Sequence, residues 1–500
     1  MPECFFGESM KRYLTGLSAL FIYLLMYLTS APGQTFQDFL NRVHAAPDSL
    51  KPAIVDSFMN AVPSFPYIEQ DTLVHFIFRG NVSSVTVPGD ANGWDMNAFS
   101  MTHLSGTDMW YVTATFESDA RLDYKFVLNG TYWILDPLNP FQMSGGFGPN
   151  SELRMPLYVP PPEIQYYPGI PHGSLFDTLF YSAELGNSRH VKVYTPPHYT
   201  TSSDSFGVIV FHDGLEYLSL ANARNILDDL IWKKRIQPVI AVFVPPVNRE
   251  AEYAGSQKAA FASFLVHHIM AWVDATYRTR HHPEYRATLG ASNGGNIALY
   301  LGLYYSTTFG NIAAQSSNVQ ATIADGYHYG PQLNLRFYLD LGSYDIPVLI
   351  PLVNHFVQIL QQRGYPYRFH LYHEGHSWGN WRAHVDNALE MFFPGPAQTL
   401  INHRLTHREF KLYANYPNPF NATTRISFYL NKPGEEVSLR VFNIRGQTVR
   451  IYRLHPSVSG DYSVFWDGRD ESGNVLPSGV YFYRLTVDSH STTRKMVLIR

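Results

Sequence analysis

The chain has 500 residues, 45% of them hydrophobic and only 16% charged, which points to three or four well-packed domains and excludes an extended disordered chain. A formal charge of −4 leaves no electrostatic footprint for nucleic acid, and a single cysteine, Cys4, excludes a disulfide framework or a cysteine-based metal site. Aromatic residues reach 15%, a bias common in secreted β-rich and sugar-handling proteins.

Lys11 and Arg12 precede an almost wholly apolar run from Leu14 to Leu28, and Ala31-Pro32-Gly33 then supplies small residues for cleavage. Residues 1–33 are expected to be a signal peptide that carries Cys4 away with it, with translation starting at Met1 or Met10. The run is short for a membrane span, and an anchor is the rival reading. Residues 34–64 place Phe36, Phe39, Leu40, Val43, Ile54, Val55 and Phe58 at helical spacing, a small helical lead-in. From Thr72 the period falls towards two, through Leu73–Gly80, Ser83–Val87 and Trp110–Phe116. Tyr124–Leu128 runs into Asn129-Gly130, a strong hairpin signal, and Tyr132-Trp133-Ile134 follows. Residues 65–160 therefore read as a β-sandwich.

Three stretches of this region carry a resemblance: Pro88-Gly89-Asp90-Ala91-Asn92-Gly93-Trp94, Leu122-Asp123-Tyr124-Lys125-Phe126 and Leu135-Asp136-Pro137-Leu138-Asn139-Pro140. It resembles the immunoglobulin-like early-set domain that precedes starch-branching enzymes and enterochelin esterases. Such domains bind glycogen in some proteins and buttress a catalytic domain in others. Core packing is the expected role of Trp94 and Trp133, with stacking on a sugar ring the alternative.

Pro160-Pro161-Pro162 reads as a stiff linker into residues 161–395. There Gly207–Phe211 and Val239–Val244 are continuous apolar runs, as strands buried on both faces should be. Ile312–Gln315, Leu335–Leu339 and Tyr367–Leu371 follow, with amphipathic stretches between them, so a doubly wound, mostly parallel α/β sheet is expected. Between them Gly290-Ala291-Ser292-Asn293-Gly294 has the G-x-S-x-G form. The short strand before it and the apolar helix after it supply the context of a nucleophile elbow, which exposes the hydroxyl of Ser292.

Ligand sites in such sheets lie beyond the carboxyl ends of the strands, and two partners for Ser292 fall there. His376 would take the serine proton, and Asp345 would hold the imidazole in the right tautomer. The order Ser, Asp, His along the chain is that of α/β-hydrolases. Asp340 is the rival acid, while His370 and His373 are expected to point sideways. The oxyanion donors would be the backbone N–H of Asn293 and that of Leu215, after the strand that ends at Phe211-His212. His281-His282 and His373-x-x-His376 lack the companions that a metal site needs, so neither metal nor cofactor is expected.

His212-Asp213-Gly214, Asn248-Arg249 with Glu252-Tyr253, Gly290–Gly295, Gly342–Asp345 and Gly375–Trp381 together carry a second resemblance. Residues from about Gly169 to Pro394 look like the esterase family that contains enterochelin esterases, feruloyl and acetyl-xylan esterases and mycolyltransferases. The resemblance implies metal-free hydrolysis of carboxylic esters and places the triad on Ser292, Asp345 and His376. It also implies a substrate pocket with His212, Arg249, Glu252 and Trp381, in which Arg249 and Glu252 pair or simply pack.

A polar linker at 396–409 leads to residues 410–500, where Val437–Phe442 alternates cleanly up to the turn at Arg445-Gly446. Tyr416-Pro417-Asn418-Pro419-Phe420-Asn421, Trp466-Asp467-Gly468, Ser478–Leu485 and the end Lys495–Arg500 resemble the C-terminal sorting domain of type IX secretion cargo. The resemblance implies the outer-membrane secretion machinery as a partner and a secreted or cell-surface location; a structural immunoglobulin-like appendage is the alternative. The whole reads as a secreted serine esterase with an α/β-hydrolase core between two immunoglobulin-like β-sandwiches, acting on a small-molecule or carbohydrate-linked ester, with no nucleic acid and no stable membrane span. An acyltransferase with the same triad and a non-catalytic carbohydrate-binding surface protein are the competing classes.

Overall fold

The computed structural model describes residues 35–146, 148–396, 410–413, 415, 417–421, 423–430, 437–454, 460–487 and 490–499. The expected signal peptide and most of the polar linker lie outside them. The chain divides into two compact units, one ending at Gly395 and the other starting at Pro396.

The first unit opens with the helices Phe36–Ala45 and Lys51–Ala61. Thr35 and Asp38 close a reciprocal capping box at the start of the first helix, which satisfies two amides that have no intrahelical partner. Ten short strands follow: β1 (Tyr67–Glu69), β2 (Leu73–Arg79), β3 (Val85–Thr86), β4 (Thr102–His103), β5 (Met109–Thr115), β6 (Arg121–Tyr124), β7 (Phe126–Leu128), β8 (Tyr132–Ile134), β9 (Gln142–Gly145) and β10 (Gly148–Arg154). Strand β2 shows why these sequences fold as they do. Val74, Phe76 and Phe78 pack inward on Leu122 and Phe126, while the intervening Ile77 meets Phe36 and Phe39 of the lead-in helices.

Eight longer strands build the second part: β11 (Ser174–Ser182), β12 (Asn187–Thr195), β13 (Gly207–His212), β14 (Val239–Val244), β15 (Arg286–Ala291), β16 (Asn311–Gln315), β17 (Arg336–Tyr344) and β18 (Tyr367–Gly375). Strands β13 to β18 are parallel, in the order β14-β13-β15-β16-β17-β18. Alternate residues of β13 enter two separate cores, Val208 and Val210 in one, Ile209 and Phe211 in the other, so helices cover both faces. The order reverses between β13 and β15, which sets the crevice for a site beyond their carboxyl ends.

The sheet is mostly parallel, with β12 and β11 extending one edge antiparallel, and two expectations change. At the other edge β18 pairs with β6, so β6-β10-β9 continue the same eleven-stranded sheet. The N-terminal strands are thus divided among three sheets, with β1-β2-β5-β4 and β3-β7-β8 as the other two. The second change concerns the proline run. It turns into a short 3-10 helix, Pro162–Ile164, whose buried Ile164 packs in the core and accepts a 3.0 Å hydrogen bond from Asn225. It is anchored rather than a free spacer.

Among its described residues the second unit holds two sheets, of which the first is β19 (Phe410–Leu412), β20 (Thr424–Leu430) and β23 (Gly460–Trp466). The other is β22 (Thr448–Leu454), β21 (Val437–Phe442), β24 (Gly479–Val487) and β25 (His490–Leu498). Trp466 and Tyr483 are wholly buried between them, and each finds a backbone carbonyl for its polar atom, Arg469 and Tyr413 respectively. Among the described residues no helix is long and apolar enough to cross a membrane.

Candidate active site

Strand β15 is buried along its whole length and hands over to the helix Asn293–Tyr304 with one residue between, Ser292. That residue takes φ 57° and ψ −122°, a conformation that costs free energy for any side chain and persists only where the surroundings enforce it. Its N–H donates to the Gln315 carbonyl at 2.9 Å, and its own carbonyl accepts from Asn296 and Asn318 at 3.2 Å each. Strand and helix close up because residue 290 has no side chain: a Cβ there would stand 2.3 Å from the Gly294 carbonyl oxygen.

Strands β17 and β18 end side by side and release Asp345 and His376 at adjacent positions. His376 Nδ1 donates to Asp345 Oδ1 at 2.7 Å, and the same oxygen accepts from the Ile346 amide at 2.7 Å. With Nδ1 committed to the buried carboxylate, Nε2 is the nitrogen free to exchange a proton. The imidazole stands edge-on to Trp381, with 5.0 Å between ring centroids. Ser292, Asp345 and His376 all line one cavity of about 700 Å³.

Asp340 lies elsewhere. Strand β17 runs on to Tyr344, so Asp340 sits inside the sheet without exposure and accepts from Gln315 Nε2 at 2.9 Å. Burial pushes its carboxyl up to about 7. His370 and His373 both lie within β18, and His373 Nδ1 donates to Asp119 at 2.6 Å.

The other expected pocket residues divide. Arg249 and Trp381 line the cavity. Arg249 does not pair with Glu252. Instead its Nε and Nη2 clasp both oxygens of Asp213 at 2.8 Å, and Nη2 also reaches the Ala291 carbonyl at 3.2 Å, so one guanidinium ties the turn after β13 to the elbow. Glu252 is wholly buried and faces Arg189 of β12 at 2.7 Å, away from the cavity. His212 is also wholly buried, bonded to Thr288 Oγ1 at 2.7 Å, and burial drives its pKa down to about 3, which keeps it neutral. Asn293 is the first residue of its helix and Leu215 the second of the helix Gly214–Ser219, positions whose amides have no carbonyl within the helix. Neither Asn293 nor Leu215 is among the cavity-lining residues, however, whereas Ser292, Asp213 and Glu216 near them are.

The far wall of the cavity comes from the N-terminal strands and their connections: Asp90, Trp94, Asp123, Lys125, Trp133 and Asn150. Trp133 is 44% exposed, so the expected core role fails for it. Trp94 faces the same cavity and donates Nε1–H to Asp90 at 3.0 Å. Asp90 is buried against Asp123, and both effects push its pKa up to about 8. Sequence reasoning missed Asp90, Asp123 and Lys125 as wall residues although they lie in the very stretches that carried the early-set resemblance. Among the described residues no group of three His, Cys, Asp or Glu side chains is placed to hold a metal ion.

Residues 182–392 match the family described as Putative esterase, and residues 415–491 match the FlgD Ig-like domain. The YjcH protein of Bacillus subtilis, itself uncharacterized, is 25% identical over 234 residues, which cover 44% of this chain and 97% of that one. An iron(III) enterobactin esterase of Escherichia coli O6:H1 is 24% identical over 279 residues, 49% of this chain and 69% of its own. The enterobactin esterase FES of Shigella flexneri, solved in the presence of enterobactin, superposes with a TM-score of 0.57 at 20% identity over 69% of this chain and 98% of that chain. The ferric enterobactin esterase of Salmonella typhimurium gives 0.57 at 20% identity, over 67% and 96%. The segment that carries Ser292, Asp345 and His376 is thus an esterase domain, and the enzyme is a carboxylic ester hydrolase. Over about two thirds of the chain its fold is that of the solved enterobactin esterases, and its C-terminal region is Ig-like.

Proposed function

We propose that the protein hydrolyses esters through an acyl-enzyme on Ser292, with His376 as general base and then acid and Asp345 as its orienting carboxylate. One observation carries this reading: the 2.7 Å Asp345–His376 hydrogen bond opens on the same cavity as a serine held at positive φ. His376 Nε2 takes the hydroxyl proton as Oγ bonds to the ester carbonyl carbon. We assign the resulting oxyanion to the first-turn amide of Asn293, the residue that follows the nucleophile. The C–O bond to the alcohol then breaks, and the alcohol leaves with the proton from His376. Water repeats the sequence on the acyl-enzyme, which frees the acid and regenerates Ser292.

The cavity walls favour a substrate with a flat ring. Trp94, Trp133, Trp378, Trp381 and Tyr344 surround it, and aromatic faces take aromatic acyl groups or sugar rings alike. Enterochelin-like, feruloyl or acetyl esters, free or carbohydrate-linked, are the substrates this reading assigns. An alkyl fluorophosphonate tests the mechanism. It should stop hydrolysis of an ester panel in step with one covalent adduct on the peptide that contains Ser292. Hydrolysis that continues after complete labelling, or an adduct on another serine, would overturn the reading.

The residues that resemble a sorting domain support a second assignment: the C-terminal unit directs export across the outer membrane, after a signal peptide has carried the enzyme into the periplasm. Truncation after Gly395 should leave the esterase activity of purified protein nearly unchanged, since all the residues assigned to chemistry precede it. In the native host the same truncation should move activity from the medium and cell surface to the periplasmic extract. A truncated enzyme that still reaches the surface in full makes the unit a structural appendage.

A further inference from the structure

The N-terminal strands do more than face the cavity. Arg121, the first residue of β6, has no exposed surface and spends its guanidinium on three partners. Nε donates to Glu152 at 2.7 Å, Nη2 donates to Asp123, and Nη1 crosses to Ser377 Oγ at 2.8 Å. Ser377 directly follows His376 and is the N-cap residue of the helix Trp378–Phe392. A serine there ordinarily accepts from an amide of its own helix. This one caps nothing, and its hydroxyl accepts from Arg121 instead.

Other ties converge on the same two loops. Strand β6 pairs with β18 at Arg121 and Glu374, two residues before His376. The Asp90 carboxyl fills the space beside Gly375, where a Cβ would stand 2.0 Å from Asp90 Cγ. On the Asp345 side, Tyr344 donates its hydroxyl to Glu117 at 2.6 Å and packs against Phe116. The residues before and after His376 and the residue before Asp345 are therefore all held by residues 90–121.

We propose that Arg121 is a positioning residue for the ester chemistry: through Ser377 it fixes the His376 loop against the Asp345 loop, so that the N-terminal strands complete the catalytic geometry. The proposal rests on the triad reading above. A hydrogen bond as short as that between Asp345 and His376 needs both loops in place, and a misplacement of about 1 Å costs on the order of 100-fold in rate.

Ser377→Ala in the full chain is the test, because it removes the acceptor for Arg121 and leaves the buried carboxylates paired. We expect kcat to fall about tenfold or more, with KM nearly unchanged on esters of different acyl size and the melting temperature lowered by only a few degrees, the cost of one unpaired donor on Arg121. Ser377→Thr, which keeps the hydroxyl on an extended backbone, should restore kcat. Arg121→Lys retains a charge for Asp123 and Glu152 but cannot reach three partners, and Arg121→Lys with Ser377→Ala should be no slower than the slower single variant. An unchanged kcat in Ser377→Ala, a KM change that differs from ester to ester, or multiplicative losses in the double variant would each overturn the proposal. Ser292→Ala separates the two readings. If it stays active the triad assignment fails, whereas if it is dead and Ser377→Ala is unimpaired, only the positioning role of Arg121 fails.

Discussion

Replacing Ser292 with alanine is expected to lower kcat/KM for a simple activated ester by about 10,000-fold or more, since members of a triad act as a unit and the remainder is what binding and the oxyanion site supply alone. The fold should survive. Ser292 is partly exposed, and the bonds that hold the elbow are made by its backbone to Gln315, Asn296 and Asn318. Alanine meets the same backbone cost at φ 57° as serine does. Circular dichroism and a melting curve should match wild type while hydrolysis disappears. A folded variant with more than a few per cent of the activity would remove the serine from the mechanism.

Asp345→Asn is expected to reduce kcat by about 10,000-fold as well, because an amide opposite Nδ1 favours the wrong imidazole tautomer and does not stabilise the imidazolium. Asp340→Asn should change kcat little, since Asp340 bonds Gln315 inside the sheet and does not line the cavity. Its effect should be on stability. The folded carboxyl is raised from 3.8 to about 7 by burial, outweighing His384, Gln315 and Tyr338, so the fold favours the neutral form. That contribution is complete below 3.8 and is lost as pH rises through about 7. Asparagine carries no such loss. The melting temperature of Asp340→Asn should therefore gain on wild type from pH 4 to pH 7, and a gap that stays constant would show that Asp340 is charged throughout. A dead Asp340→Asn beside an active Asp345→Asn would exchange their roles.

Much of the site could be read from the chain because each part announces itself locally. The glycines around Ser292, the unbroken apolar runs of β13 and β14, and the polar residues just beyond β17 and β18 are signals within a few residues of one another. The strand ends were harder. Strands β17 and β18 outlast their apolar stretches, running on to Tyr344 and Gly375 through a bulge after Gly342, and this is why Asp340 lies deeper than its distance from Leu339 suggests. Partners distant in sequence gave no signal. Arg121 and Ser377 are 256 residues apart, and the join between β6 and β18 leaves no periodicity to detect. Arg249 and Glu252 are neighbours on one short helix, yet the first reaches the elbow and the second the interior, because Arg189 and Asp213 wait on opposite sides.

The ties that join β6, Asp90, Asp119 and Glu117 to the ends of β17 and β18 also bear on time. Many enzymes make their cleft anew in each cycle by swinging a lid, and the swing often limits turnover. Here β6 of one wall pairs with β18 of the other in one hydrogen-bonded sheet, and the residues on both sides of His376 are tied to the N-terminal strands. The ordering entropy of bringing them together is met once, when the chain folds, and not at every encounter with substrate. Such a cleft stands ready before the ester arrives. On the proposed mechanism, selection would then fall on fit at entry, and bond-making, bond-breaking and the departure of products would be the steps left to limit turnover.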